Sequence, residues 1–143
     1  MPTYFTLAEL LKSDTAKRKG IDNTPSWEVV ANLLELTRDF LDPLRAAWGK
    51  AIRISSGYRC EKLNKAVGGS ATSVHMKGWA ADLQTSGSFA KFRDFVTTWV
   101  KEKGIKFDQL LLERDRKTGA QWIHVGLRNN AGQQRGIIKV MEV

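Results

Sequence analysis

The segment Ser73-Val74-His75-Met76-Lys77-Gly78-Trp79-Ala80-Ala81-Asp82 constrains this chain most, because it sets an imidazole and a carboxylate seven positions apart with a glycine between them. Gly78 lets the backbone turn where a side chain would hinder it. A catalytic zinc takes three protein ligands, at about 2.0–2.2 Å for nitrogen and oxygen, and leaves its fourth position to water. His75 and Asp82 can supply two of the three. The only other histidine among the 143 residues, His124, sits in Gln121-Trp122-Ile123-His124-Val125-Gly126, whose alternation is that of a strand and which can carry the third. A histidine taken singly is more often a packed or surface residue than a ligand. The set of three is what points to a metal.

The pattern Ser-x-His-x-x-Gly-x-Ala-x-Asp, followed about forty residues later by Trp-x-His, resembles the M15 zinc peptidases, the family of D-alanyl-D-alanine carboxypeptidases and cell-wall endopeptidases. Further segments are similar to it: Ser55-Ser56-Gly57-Tyr58-Arg59 with Leu63-Asn64, Val67-Gly68-Gly69-Ser70, and Phe107-Asp108-Gln109-Leu110-Leu111-Leu112-Glu113. The opening Phe5-Thr6-Leu7, Ser13-Asp14-Thr15-Ala16 and Ile21-Asp22-Asn23 resemble the small phage and prophage branch. The resemblance implies a Hedgehog/DD-peptidase-like α+β fold, with a small antiparallel sheet flanked by helices. It also implies one zinc per chain, held by His75, Asp82 and His124.

Such a zinc polarises the scissile carbonyl and lowers the pKa of its water to about 7. A carboxylate must then take the water's proton, and a cation must hold the developing oxyanion. The resemblance assigns the cation to Arg59, which stays charged and presents a planar fork to oxygen pairs. Relatives with Glu-x-x-His place their general base three residues before the last ligand, where this chain has Gln121, an amide that accepts no proton. In the branch resembled here the acid belongs to the Asp-Gln-Leu run, and Glu113 matches it. Ser73 and Gln109 are implied to orient ligands or substrate. Side chains alternate along a strand, so pairing Glu113 with Trp122 would put the carboxylate on the face of His124, and a slip of one residue would remove it. Asp115 and then Asp108 stand behind Glu113 as candidates.

The length suits one domain over residues 1–143 with a single core. Hydrophobic residues at 42% and charged residues at 27% argue against disorder, and no apolar run approaches the roughly 20 residues that cross a bilayer. Met1-Pro2-Thr3-Tyr4-Phe5 does not begin a secretory signal, so synthesis and retention in the cytoplasm are expected, with release to the wall by another agent such as a phage lysis system. Cys60 is the single cysteine, read as a small packing residue beside Arg59. A net charge of +8 attracts polyanions, whether nucleic acid, anionic lipid or acidic envelope polymers. The basic residues are scattered and not interleaved with aromatics, which disfavours nucleic acid.

Thr6-Leu7-Ala8-Glu9 has the capping-box form and predicts a helix running to Leu11 or Lys12. A second helical turn ends at Lys17-Arg18-Lys19-Gly20. Thr24 before Pro25 predicts an N-cap, then a long helix with Trp27, Val30, Leu34, Thr37 and Leu41 as its apolar stripe. Asp42-Pro43 predicts a break, with a restart over Leu44 to Trp48 and a stop at Gly49. A strand over Ala51 to Ser55, a short helix over Glu61 to Val67, a loop over Ser70 to Lys77 and a strand over Trp79 to Leu83 follow. The stripe Phe89, Phe92, Val96, Trp99 and Val100 predicts a core-facing helix ending at Gly104. Phe107 to Glu113 and Gln121 to Leu127 form a hairpin, and Ile137 to Val143 a last strand. Helices first and strands later predict α+β with an antiparallel sheet.

Three functions fit. The first is a zinc peptidase acting as a monomer on peptidoglycan stem peptides, either as a D-Ala-D-Ala carboxypeptidase or as an L-Ala-D-Glu endopeptidase, in phage or prophage lysis. The second is a non-catalytic zinc module that binds a wall peptide or a protein, and Gln121 is its best support. The third, a basic nucleic-acid-binding domain, has no recognisable motif.

Overall fold

Polar caps start most of the helices, and their positions follow from side chains that satisfy the first free N–H groups. In the computed structural model of the chain, which describes residues 4–143, Thr6 and Glu9 form the expected capping box at the head of α1 (Leu7–Leu11). Ser13 caps α2 (Asp14–Lys19), which Gly20 ends in a left-handed conformation. The expected cap at Thr24 is displaced: Ser26 caps α3 (Trp27–Leu36), and the Thr24 hydroxyl instead donates to Asp22 at 2.5 Å.

The expected stripe of α3 is also corrected. Val29, Leu33 and Leu36 face the core, whereas Trp27 is 89% and Leu34 60% exposed. Doubled apolar pairs, Val29-Val30 and Leu33-Leu34, give the sequence two registers of helical period, and packing selects one. No break occurs at Pro43. Thr37–Leu41 is a π-helical turn that runs directly into α4 (Asp42–Trp48), with the Asp42 N–H bonded to the Thr37 carbonyl. A proline lacks its N–H and clashes with the carbonyl four residues back, and the widened turn accommodates both defects without ending the helix.

Among the described residues five strands form one sheet: β1 (Arg53–Ser56), β2 (Ala80–Gln84), β3 (Gln109–Arg114), β4 (Gln121–Gly126) and β5 (Ile137–Glu142), in the order β1-β2-β4-β3-β5. The fold is α+β as expected, but the sheet is mixed and not antiparallel throughout, since β5 runs parallel to β3. The reason is the connection. β4 ends opposite Gln109 at Gly126, and the chain passes over the start of β3 to set Ile137 beside that same Gln109. The Gly136 N–H to the Phe107 carbonyl, 2.9 Å, and the Ile137 N–H to the Asp108 carbonyl, 2.8 Å, fix this crossing.

One face of the sheet is apolar. Leu83, Leu110, Ile123 and Val125 are fully buried there, together with Leu33, Phe40 and Leu44 of the first helical run and with Phe92 and Val96 of α6 (Phe89–Glu102). Each such side chain contributes about 1.5–3 kcal/mol by leaving water. Phe40 meets Trp99 edge to face at 5.5 Å, an arrangement favoured by the ring quadrupoles. The opposite face of β2, β3 and β4 is left for the polar residues that alternate with this core. Among the described residues no helix is long and apolar enough to cross a membrane. The leader expectation begins on residues 1–3, which lie outside the described residues.

Candidate metal centre

Strand pairing assembles the centre. Asp82 on β2 stands opposite His124 on β4, and Leu111 on β3 stands on the other side of His124. Directly opposed residues share a face, so Asp82 and His124 both leave the sheet on the side away from the core. His75 reaches them from a single 3-10 turn, Val74–Lys77, where a plain loop is expected from the sequence. Ser73 caps that turn, its hydroxyl accepting from the His75 N–H at 3.2 Å. Gly78 closes it at φ 79°, and a Cβ there would come within 2.8 Å of the Val29 carbonyl oxygen, so the position needs glycine on two counts.

The three donors converge. His75 Nε2 is 3.4 Å from Asp82 Oδ1, and His124 Nδ1 is 3.0 Å from the same oxygen. One ligand atom from each residue lies within 4.8 Å of the other two. Ligands at about 2.0–2.2 Å from a tetrahedral ion stand about 3.3–3.6 Å apart, so the spacing fits a metal with little movement.

The tautomer of His75 strengthens the fit. Its Nδ1 lies 2.7 Å from the Gly57 carbonyl, which can only accept, so Nδ1 carries the proton. The imidazole is 3% exposed, and burial lowers its pKa more than the neighbouring Asp82 raises it. A neutral ring with its proton on Nδ1 turns a bare Nε2 lone pair toward Asp82. Burial alone would raise the Asp82 carboxyl, but the hydrogen bond from His124 Nδ1 at 3.0 Å favours the carboxylate and the carboxyl is held below its ordinary range, so it too offers electron pairs. Two electron-rich atoms aimed at each other in a buried site call for a cation between them.

Other predicted residues line the same cleft of about 700 Å³: Arg59, Ser73, Gln109 and Glu113, with Trp122. Glu113 pairs with Trp122 across β3 and β4, so its side chain shares the face of His124. Burial raises the Glu113 carboxyl above its ordinary value, with Asp82 adding to the rise, while His124 and the Trp122 indole N–H oppose it. That N–H lies beside the carboxylate without closing a hydrogen bond. Arg59 donates to the Ser73 hydroxyl at 3.3 Å, and its buried Nε has no partner among the described residues. Burial pulls its pKa down, opposed by Asp82 and Glu113, yet an arginine remains charged. The arrangement therefore combines a three-ligand metal position, a carboxyl shifted toward neutrality and a cation with a free donor.

Some residues are placed elsewhere. Gln121 lies three before His124 on a strand of period two, so it faces the other way, into a separate cleft with Arg53 and Gln84. That cleft, about 650 Å³, contains no histidine. Asp115 is taken up in the β3–β4 turn, where its Oδ1 accepts from the Lys117 N–H at 2.8 Å. Asp108 borders the metal cleft, but Arg135 holds it at 2.8 and 3.0 Å. Cys60 caps α5 (Glu61–Ala66) through its sulfur, in keeping with a packing role. Sequence reasoning missed the Gly57 carbonyl as the group that orients His75, because a backbone acceptor leaves no side-chain signal. It also missed Arg135.

A family model described as Peptidase M15 matches residues 3–125, a span that includes His75, Asp82 and His124. The chain belongs to the Peptidase M15 family. Membership makes it a peptidase by lineage, a hydrolase of a zinc-dependent family, and the His75-Asp82-His124 cluster is where this M15 chain could hold the ion. The match stops at Val125, so the crossing loop and β5 lie beyond it. No curated protein matches the chain.

Proposed function

We propose that this M15 peptidase hydrolyses peptide bonds of bacterial peptidoglycan with one zinc per chain, as a D-Ala-D-Ala carboxypeptidase or an L-Ala-D-Glu endopeptidase of phage or prophage lysis. The observation that carries the peptidase reading is the meeting of His75, Asp82, His124, Glu113 and Arg59 in one cleft. The wall substrate and the lysis role rest on the resemblance of Ser55–Arg59 and Ser73–Asp82 to cell-wall enzymes of this family. When bound, zinc supplies Lewis-acid polarisation and an acidified water. Glu113 accepts a proton from the attacking water and returns it to the leaving amine, a task suited to a carboxyl raised by burial. Arg59, with its unpaired Nε, holds the oxyanion or a substrate carboxylate. Ser73 fixes both Arg59 and the His75 turn. Gln109, opposite Gly126 on the site face, lines the path of the peptide.

The binding-module reading loses its main support, because Gln121 lines a cleft separate from that of the metal ligands, so the missing acid there removes nothing from the metal cleft. Incubating the zinc-loaded protein with purified muropeptides and weighing the products tests the proposal. Loss of a terminal alanine identifies the carboxypeptidase, and release of the whole stem beyond L-alanine identifies the endopeptidase. Intact muropeptides after prolonged incubation would overturn it.

A further inference from the structure

Some of the basic residues that look scattered in the sequence lie on neighbouring helices. α2 packs against α5, so Lys17, Arg18 and Lys19 belong to one helix and Lys62 and Lys65 to the helix beside it. All five are exposed, and none makes an ion pair with a described residue. Asp14 and Glu61 are the acidic residues of these two helices, leaving a clear cationic excess. Lys65 continues this surface into a groove of about 600 Å³ that Lys77 and one acid, Glu61, also line. The groove shares Gly69, Thr72, Ser73 and Asn130 with the metal cleft, so the two are continuous across the turn that precedes His75.

We propose that this surface is a docking site for a linear phosphodiester polyanion without bases, lying along α2 and α5 and entering the groove beside the metal cleft. Charge selects a polyanion, since unpaired lysines and arginines on adjacent helices release condensed counterions when they meet phosphates. The absence of aromatic residues selects against single-stranded nucleic acid. Neither α2 nor α5 nor the groove lining contains an aromatic side chain, and single-stranded nucleic acid is held largely by bases stacked on such rings. The site deepens the proposed wall function and rests on it in one respect, that an acidic envelope polymer then lies within reach of the peptide being cut. Docking of this kind would keep the enzyme on its insoluble substrate between turnovers.

The test is binding of a synthetic glycerol-phosphate oligomer to the zinc-loaded protein, against a single-stranded oligonucleotide with the same number of phosphates. Five cationic contacts at a slope of about 0.7 each predict roughly 100-fold weaker binding at 200 mM than at 50 mM salt. The variants Lys62→Gln/Lys65→Gln and Lys17→Gln/Arg18→Gln/Lys19→Gln should each bind the oligomer at least about tenfold more weakly at low salt. Both should cleave polymer-free stem peptides at the parent rate. Equal binding by parent and variants overturns the proposal, as does an oligonucleotide held tenfold more tightly than the oligomer through the same residues. A parent that cleaves no stem peptide contradicts the wall function instead, and the oligomer binding still decides the docking site.

Discussion

Asp82 and His124 face each other across β2 and β4 with Oδ1 3.0 Å from Nδ1, so two of the three candidate metal ligands are set by strand register alone. His75, from a turn outside the sheet, completes the set. The backbone thus fixes the position of the centre more firmly than any single side-chain contact does.

The same register places Glu113 opposite Trp122 and on the site face. Glu113→Gln keeps shape and ligands but cannot accept a proton. Its zinc content and melting temperature should match the parent, while turnover of the susceptible peptide falls by about 10²–10⁴. Turnover near the parent value would assign the proton acceptor elsewhere.

Arg59 makes one long side-chain hydrogen bond, to Ser73, and its backbone N–H to the His75 carbonyl survives truncation. Arg59→Ala should therefore melt close to the parent. The rate should fall by about 10²–10³, the usual cost of one lost oxyanion donor. A large fall in melting temperature with full activity in the folded fraction would make Arg59 structural.

Gly57 is doubly constrained. Its carbonyl orients His75, and a Cβ on it would overlap the Leu10 carbonyl oxygen. Gly57→Ala should cost about 1–3 kcal/mol in a denaturant titration through overpacking. Displacing the group that holds His75 should also weaken zinc by about 10–100-fold in a competition titration. Unchanged zinc affinity in a destabilised variant would separate the carbonyl from the metal site.

Asp108 is 4% exposed at its side chain and paired to Arg135, which lowers its pKa below the ordinary aspartate value of 3.8. A carboxyl lowered on folding contributes stability in full above its unfolded value and loses it as pH falls through the folded one. Asp108→Asn should therefore be less stable than the parent by about 1–3 kcal/mol at pH 7. The gap should narrow as pH falls below about 4. A gap independent of pH in acid denaturation would show that the ionised pair is not its source.

The candidate centre was legible because it depends on rare residues at fixed spacing: two histidines, one with a carboxylate seven positions on, in a chain where strand alternation puts Trp122 and His124 on one face. The strand hairpin and α6 were legible for a similar reason, each having one dominant period. Trp27 and Leu34 were misassigned to the core because α3 is apolar on two faces, and only its partners decide which is covered. The π turn before Pro43 and the parallel pairing of β5 depend on non-local packing and on the route of a loop, and neither leaves a local signature. The basic surface is of the same kind, since the lysines of α2 and α5 come onto adjacent helices only when α2 meets α5.

The most direct measurement is a zinc titration of the chelated protein, with hydrolysis of a peptidoglycan stem peptide as the readout. The stripped protein should be inactive, and activity should rise linearly and saturate at one zinc per chain, with His75→Ala/His124→Ala giving no activity at any zinc concentration. Hydrolysis that survives chelation, or that saturates equally in the double variant, would contradict a metal centre built from His75, Asp82 and His124.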